Sequence, residues 1–158
     1  MAIYNPHEWT SSYVRYNEGE CVDIMQRITG SMLSYIEERD YLSAIKCCDG
    51  ICDGVSVMAG VNANQYAPML YSYSYILAEL LLFGVGGSRG LQAAIPPLQD
   101  ALDFAKDCAR PGRRTADRAR RDVEKIGGML TDLQNGVSVD TVRRRYCPDF
   151  PNDILEGW

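Results

Sequence analysis

Between Asp53 and Arg89 the chain carries a single formal charge, Glu79. A stretch of that length without charged side chains makes a poor solvated surface, and its natural place is the interior of a fold. Its most apolar part, Ile76 to Val85, is about half the length needed to cross a bilayer and includes Glu79. The expected interior is therefore that of a protein, with no membrane span. With 158 residues the chain is long enough to supply one, since a domain of this size buries about 70% of the surface its unfolded form exposes.

Within the charge-poor span, Tyr71-Ser72-Tyr73-Ser74-Tyr75 alternates as a strand would. Met69, Leu70, Tyr73, Ile76, Leu77, Leu80 and Leu81 instead follow the helical period, over a run much longer than a typical strand. The pattern predicts a helix with Pro68 in its first turn and Gly84 at its end, after the polar separator Asn62–Gln65. Cys21, Met25, Ile28, Met32, Tyr35 and Ile36 keep the same period upstream. Asp40 is placed to cap a second helix with Tyr41, Ala44, Ile45, Cys48, Ile51, Cys52, Val55, Met58 and Ala59 on its apolar face. Moved by 50 positions, that set becomes Leu91, Ala94, Ile95, Leu98, Ala101, Leu102, Ala105, Cys108 and Ala109, all apolar again. After the break at Arg110-Pro111-Gly112, a helix carries Ala116, Ala119, Val123, Ile126, Leu130 and Leu133, and Ser138 can cap a short helix, Val139 to Tyr146. The expectation is one all-α domain over 1–158, of five to six helices stacked as antiparallel hairpins or gathered in an irregular helical bundle. Residues 1–18 form an irregular lead-in and 147–158 an irregular tail.

The string Tyr41-x-x-Ala44-Ile45-x-x-Cys48-x-x-Ile51-Cys52 resembles the second helix of a tetratricopeptide repeat (TPR), as does Leu91-x-x-Ala94-Ile95-x-x-Leu98-x-x-Ala101-Leu102. Ile28 and Tyr35 lie where that family places large apolar residues on its first helix. The resemblance covers residues 20–110 and implies stacked helix hairpins that bind a peptide or protein in a concave groove, without catalysis. The spacing of 50 in place of 34 implies longer helices or larger loops. Ser31-Met32 stands where the family has Leu-Gly, and Pro96-Pro97 falls inside the second matching helix.

The net charge of −5 averages two unlike parts. Residues 1–105 carry five basic and twelve acidic groups, whereas residues 106–145 carry eleven basic and six acidic. Arg114, Arg118 and Arg121 share one helix face, and the pairs Asp117–Arg121, Arg118–Asp122 and Arg120–Glu124 are spaced for i,i+4 ion pairing. This face is either solvated or a site for an acidic partner or nucleic acid. Gly136-Val137-Ser138-x-x-Thr141-Val142-Arg143-Arg144-Arg145 resembles the turn and recognition helix of helix-turn-helix proteins. The resemblance implies that Ser138, Thr141, Arg143 and Arg144 contact phosphates or bases, though Asp132 stands where such motifs have a small apolar residue.

No residue pattern announces catalysis. The single histidine, His7, argues against a His-based triad or a multi-His metal centre. Cys48 and Cys52 share a helix face, but zinc would need two more ligands from Cys21, Cys108, Cys147 or His7 at unpatterned distances, so buried reduced thiols are expected. The glycine loop 84–90 lacks a P-loop Lys-Ser/Thr pair and reads as a helix connection. Ser72, Tyr75 and Glu79 form a weakly polar stripe, exposed or hydrogen-bonded, in which Glu79 is not a raised-pKa acid. Tyr71, Tyr73 and Tyr75 point to different sides of one helix, so they cannot all be interior. Together these features lead to an expected non-enzymatic, cytoplasmic module that binds a protein or peptide, or a second copy of itself, without cofactor or metal. Tyr71, Tyr73, Tyr75, Arg114, Arg118 and Arg121 are its candidate partner-binding residues. The alternative is a nucleic-acid-binding regulator using 113–145.

Overall fold

The structure, a computed structural model, describes residues 17–112 and 116–157. Its elements are α1 (Glu18–Glu37), α2 (Tyr41–Val61), α3 (Ala63–Glu79), a π-helical continuation of α3 (Leu80–Val85), α4 (Gly87–Cys108), α5 (Ala116–Gln134), α6 (Val139–Tyr146) and α7 (Asn152–Glu156). The described residues are thus all-α, with no strand. They form seven helices where five or six were expected, the difference lying in the expected irregular tail. There Asp149, Phe150 and Pro151 lead into α7, a single turn that the composition of the tail does not announce.

Each long helix packs chiefly on its neighbours in the chain. Connections as short as Asn62 between α2 and α3 and Gly86 between α3 and α4 leave packed helices no choice but to run antiparallel. Helix starts follow local chemistry. The Asp40 side chain accepts from the Ser43 amide, Asn62 from the Gln65 amide and Ser138 from the Thr141 amide. Since Ser138 is the cap of an eight-residue helix, Ser138→Ala should cost about 1 kcal/mol in a urea titration, and an unchanged midpoint would show that α6 is held by tertiary contacts alone.

The 50-residue register reappears in the burial pattern. Ala44, Cys48, Ile51, Val55 and Met58 are buried on α2, and Ala94, Leu98, Ala101, Ala105 and Cys108 on α4. The remaining four members of each set are half-buried. The proline pair does not end the second helix, which begins earlier, at Gly87, and runs through Pro96 and Pro97. The carbonyls that would have met those two missing N–H groups belong to Gln92 and Ala93, both exposed, so water can serve them.

α3 departs most from expectation. It starts at Ala63, which puts Pro68 in its second turn, and only Asn62 of the polar separator lies outside it. It does not stop at Gly84 either: the π segment continues to Val85, and Gly86, at φ 71°, makes the reversal. The continuous 23-residue helix Ala63–Val85 is long and apolar enough to span a membrane by length and composition, unlike the shorter run that its sequence emphasises. Half of its most apolar stretch is buried inside the fold, because α3 is the central helix. Tyr73 hydrogen-bonds Thr29 of α1 on one side, while Tyr71 reaches Asp122 of α5 on the other.

Candidate functional site

The central position of α3 decides the fate of its tyrosines. Tyr71 and Tyr73 are only 4% and 1% exposed, so two of the three turn inward, while Tyr75 is half-buried. Helices α1 and α5 reach α3 from opposite sides here, and each hydroxyl finds a polar partner. Tyr71 donates to Asp122 Oδ2 at 2.8 Å, Tyr73 Oη lies 2.8 Å from Thr29 Oγ1, and Tyr66, one turn earlier, donates to Glu18. Burial pushes the Tyr66 and Tyr73 hydroxyls up to about 12.

Glu79 is the larger surprise. At 0% exposure it is fully buried, and the stripe Ser72–Tyr75–Glu79 faces a cavity between α3 and α5, with α7 at one end. The cavity measures ≈ 450 Å³, within the range of small-ligand sites. Tyr71, Ser72, Tyr75 and Glu79 line it from α3, Arg118, Asp122 and Lys125 from α5, and Asp153 from α7.

Residues far apart in the chain complete its floor. Phe150 seats the segment after α6 by packing its ring on Tyr41 and Phe83, with centroids 5.7 and 5.4 Å away. Arg143 donates to the Phe150 carbonyl at 3.2 Å and lies over the same ring. Thus anchored, Cys147 donates its S–H to Glu79 Oε1 at 3.1 Å. With that hydrogen committed, Tyr75, 3.1 Å from the Cys147 sulfur, is the donor in their contact. Glu79 Oε2 and Asp153 Oδ1 are both buried and meet no donor from any other residue. Directly after Glu79 the α-helix widens into the π segment, a distortion that recurs at functional sites.

The electrostatics follow from this geometry. An ionised carboxylate without water is costly, so the group keeps its proton instead. Burial and the adjacent Asp153 carboxylate raise Glu79 to about 8, against the opposing influence of the Cys147 and Tyr75 hydrogen bonds. Glu79 is thus a raised-pKa acid, contrary to the sequence expectation, and its proton lies between two carboxyl groups. Burial and the Glu79 charge also push the Cys147 thiol well up, so it is no nucleophile near neutral pH. Lys125 Nζ stands 5.2 Å from the Tyr75 ring centroid, at the cavity wall.

Of the candidate partner-binding residues, Tyr71, Tyr75 and Arg118 meet at this cavity. Tyr73 faces α1, Arg121 is exposed on α5 outside the cavity lining, and Arg114 lies outside the described residues. The expected ion pairing is partly rearranged. Arg118 reaches Asp122 at 3.9 Å, but Arg120 pairs with Asp117 at 2.7 Å, because an i,i+3 partner on the preceding turn lies closer than Glu124. Among the helix-turn-helix candidates, Ser138 and Thr141 bond each other, Arg144 donates to Thr141 and Arg143 is turned to Phe150. Arg145 pairs with Asp132 at 3.0 Å.

The six cysteines form no disulfide, and Cys21, Cys48, Cys108 and Cys147 are buried. Cys147, Asp153 and Lys125 were not singled out as site residues from the sequence. Cys147 entered only as one of several possible zinc ligands, and the isolation of Glu79 in an apolar span was the other pointer. Comparison of the chain with models of protein families, with curated proteins and with solved structures finds no match.

Proposed function

We propose that this protein is a non-enzymatic helical binding module that recognises an acidic peptide segment of a protein partner at the cavity between α3 and α5. The observation that carries this reading is the cavity wall itself: Arg118, 72% exposed, and Lys125 flank an opening lined by the Tyr71 and Tyr75 rings and by Ser72. Two cations beside aromatic surface suit a carboxylate side chain followed by apolar chain. The surrounding segment adds to this, with eleven basic groups against six acidic between 106 and 145. A volume of ≈ 450 Å³ admits one or two side chains rather than a folded surface. Antiparallel helices with a register repeated at 50 residues agree with TPR-like hairpins, which present such clefts.

The described residues expose only two large apolar side chains, Leu42 and Val85, which gives little support to a broad hydrophobic docking face. The test is fluorescence anisotropy with a labelled, Glu-rich dodecapeptide at low salt. Saturable binding, weakened about 10-fold or more by the double variant Arg118→Glu with Lys125→Glu, is expected, since reversing both charges removes the attraction and adds repulsion. No binding, or binding indifferent to both reversals, overturns the reading. Retention of labelled DNA or RNA that depends on Arg143 and Arg144 instead would favour the nucleic-acid regulator.

A further inference from the structure

We propose that Glu79, Cys147 and Asp153 form a binding site for a divalent transition-metal ion of borderline softness, such as zinc, at the floor of the cavity. This goes beyond peptide recognition and does not depend on it. Three observations converge. One donor atom from each residue lies within 4.8 Å of the others, although the residues come from α3, the segment after α6 and α7. Two of the carboxyl oxygens, Glu79 Oε2 and Asp153 Oδ1, are buried with no donor from any other residue. Only the Glu79 proton keeps such a pair from facing each other as bare carboxylates, and a cation between them would serve in its place. Finally, Glu79 and Asp153 line the cavity, with Cys147 bonded to Glu79 behind them, which leaves an open coordination position for water or an incoming ligand.

The donor set indicates the type of ion. A thiolate with two carboxylates is too soft for calcium or magnesium and lies within the range of zinc. Tetrahedral ligands at zinc bond lengths are roughly 3.5 Å apart, so the donors need only close in by side-chain adjustment. The Cys147 sulfur already lies 3.1 Å from Glu79 Oε1. On binding, the Cys147 S–H and the proton held between Glu79 and Asp153 pass to solvent, and three metal–ligand bonds replace them. Three anionic ligands around a divalent ion leave the centre with one negative charge. Lys125, whose positive charge reaches Cys147, stands near enough to offset it. The Tyr75 hydroxyl, 3.1 Å from the Cys147 sulfur, remains as a donor that orients the thiolate.

Cobalt(II) is the probe, because its thiolate complexes show charge-transfer absorption and its four-coordinate complexes show visible ligand-field bands. The full-length protein, freed of metal with a chelator, is titrated with Co²⁺ under reducing conditions. One equivalent should produce both bands, and added Zn²⁺ should bleach them. Cys147→Ser should abolish the charge-transfer band, Asp153→Asn should weaken Co²⁺ binding by ~10-fold or more, and Cys52→Ser should change nothing. Zn²⁺ should raise the melting temperature of the unaltered chain, a readout that needs no variant to fold. Absence of a thiolate band in the unaltered chain overturns the site, as does a band that survives Cys147→Ser. The peptide-binding experiment is run without metal, so the two ideas fail separately.

Discussion

Gly90→Ala is expected to lower the melting temperature by roughly 6 °C, although alanine is the better helix former. Gly90 lies in α4 just after the reversal at Gly86, where α4 crosses the π segment. A Cβ at this position would run into the backbone carbonyl oxygen of Leu81. That oxygen accepts from the Gly86 amide, so it cannot swing away without opening the hairpin. Overpacking against backbone of this kind costs about 3 kcal/mol, more than the ~1 kcal/mol that alanine gains over glycine in a helix. Gly30→Ala is the matched control. Gly30 is exposed in α1 with open space where a Cβ would go, so the substitution should stabilise by up to about 1 kcal/mol. The check is thermal unfolding of both variants. Equal effects of the same sign would mean that the α3–α4 contact is not as close as the structure has it.

The second large effect concerns the pH dependence of stability. Glu79 is raised from the ordinary 4.5 to about 8 in the folded chain, chiefly by burial. Between those values the folded protein holds a proton that the unfolded chain has released. The folded state therefore binds more protons, and stability falls as pH rises through this window. The slope approaches ~1.4 kcal/mol per pH unit and flattens above about 8, where both states are ionised. Glu79→Gln removes the titrating group and keeps the side-chain shape. Its amide can donate to Asp153 as the protonated carboxyl does. Urea titrations from pH 5 to 8.5 should show the variant gaining on the parent by a few kcal/mol as the pH rises. The difference between the two curves isolates Glu79 from other titrating groups. Parallel curves would sink the assignment of a buried, protonated Glu79.

How much of this was visible beforehand depends on the range of the interaction. The Asp40 and Ser138 caps each join groups three residues apart, so local spacing predicts them. The 50-residue register was likewise readable, because one helix face repeats every three or four positions and burial follows that face. The polar stripe Ser72–Tyr75–Glu79 was visible too, but what it faces was not. Glu79 and Cys147 are 68 positions apart, and no periodicity connects them. Their meeting depends on Phe150 settling against Tyr41 and Phe83, three residues from three separate parts of the chain.

The charge-poor span between Asp53 and Arg89 determined, by itself, that an apolar helix would be buried. Helical period and capping determined that its neighbours would be helices as well. Only the tertiary structure decided which sides of α3 would be covered, because an element without a polar face carries no mark of which side meets solvent. That packing turns Tyr71 and Tyr73 inward and holds a proton on Glu79. It also leaves two carboxyl oxygens without a donor from any other residue at the floor of a cavity, since desolvation depends on what surrounds a side chain rather than on its own identity.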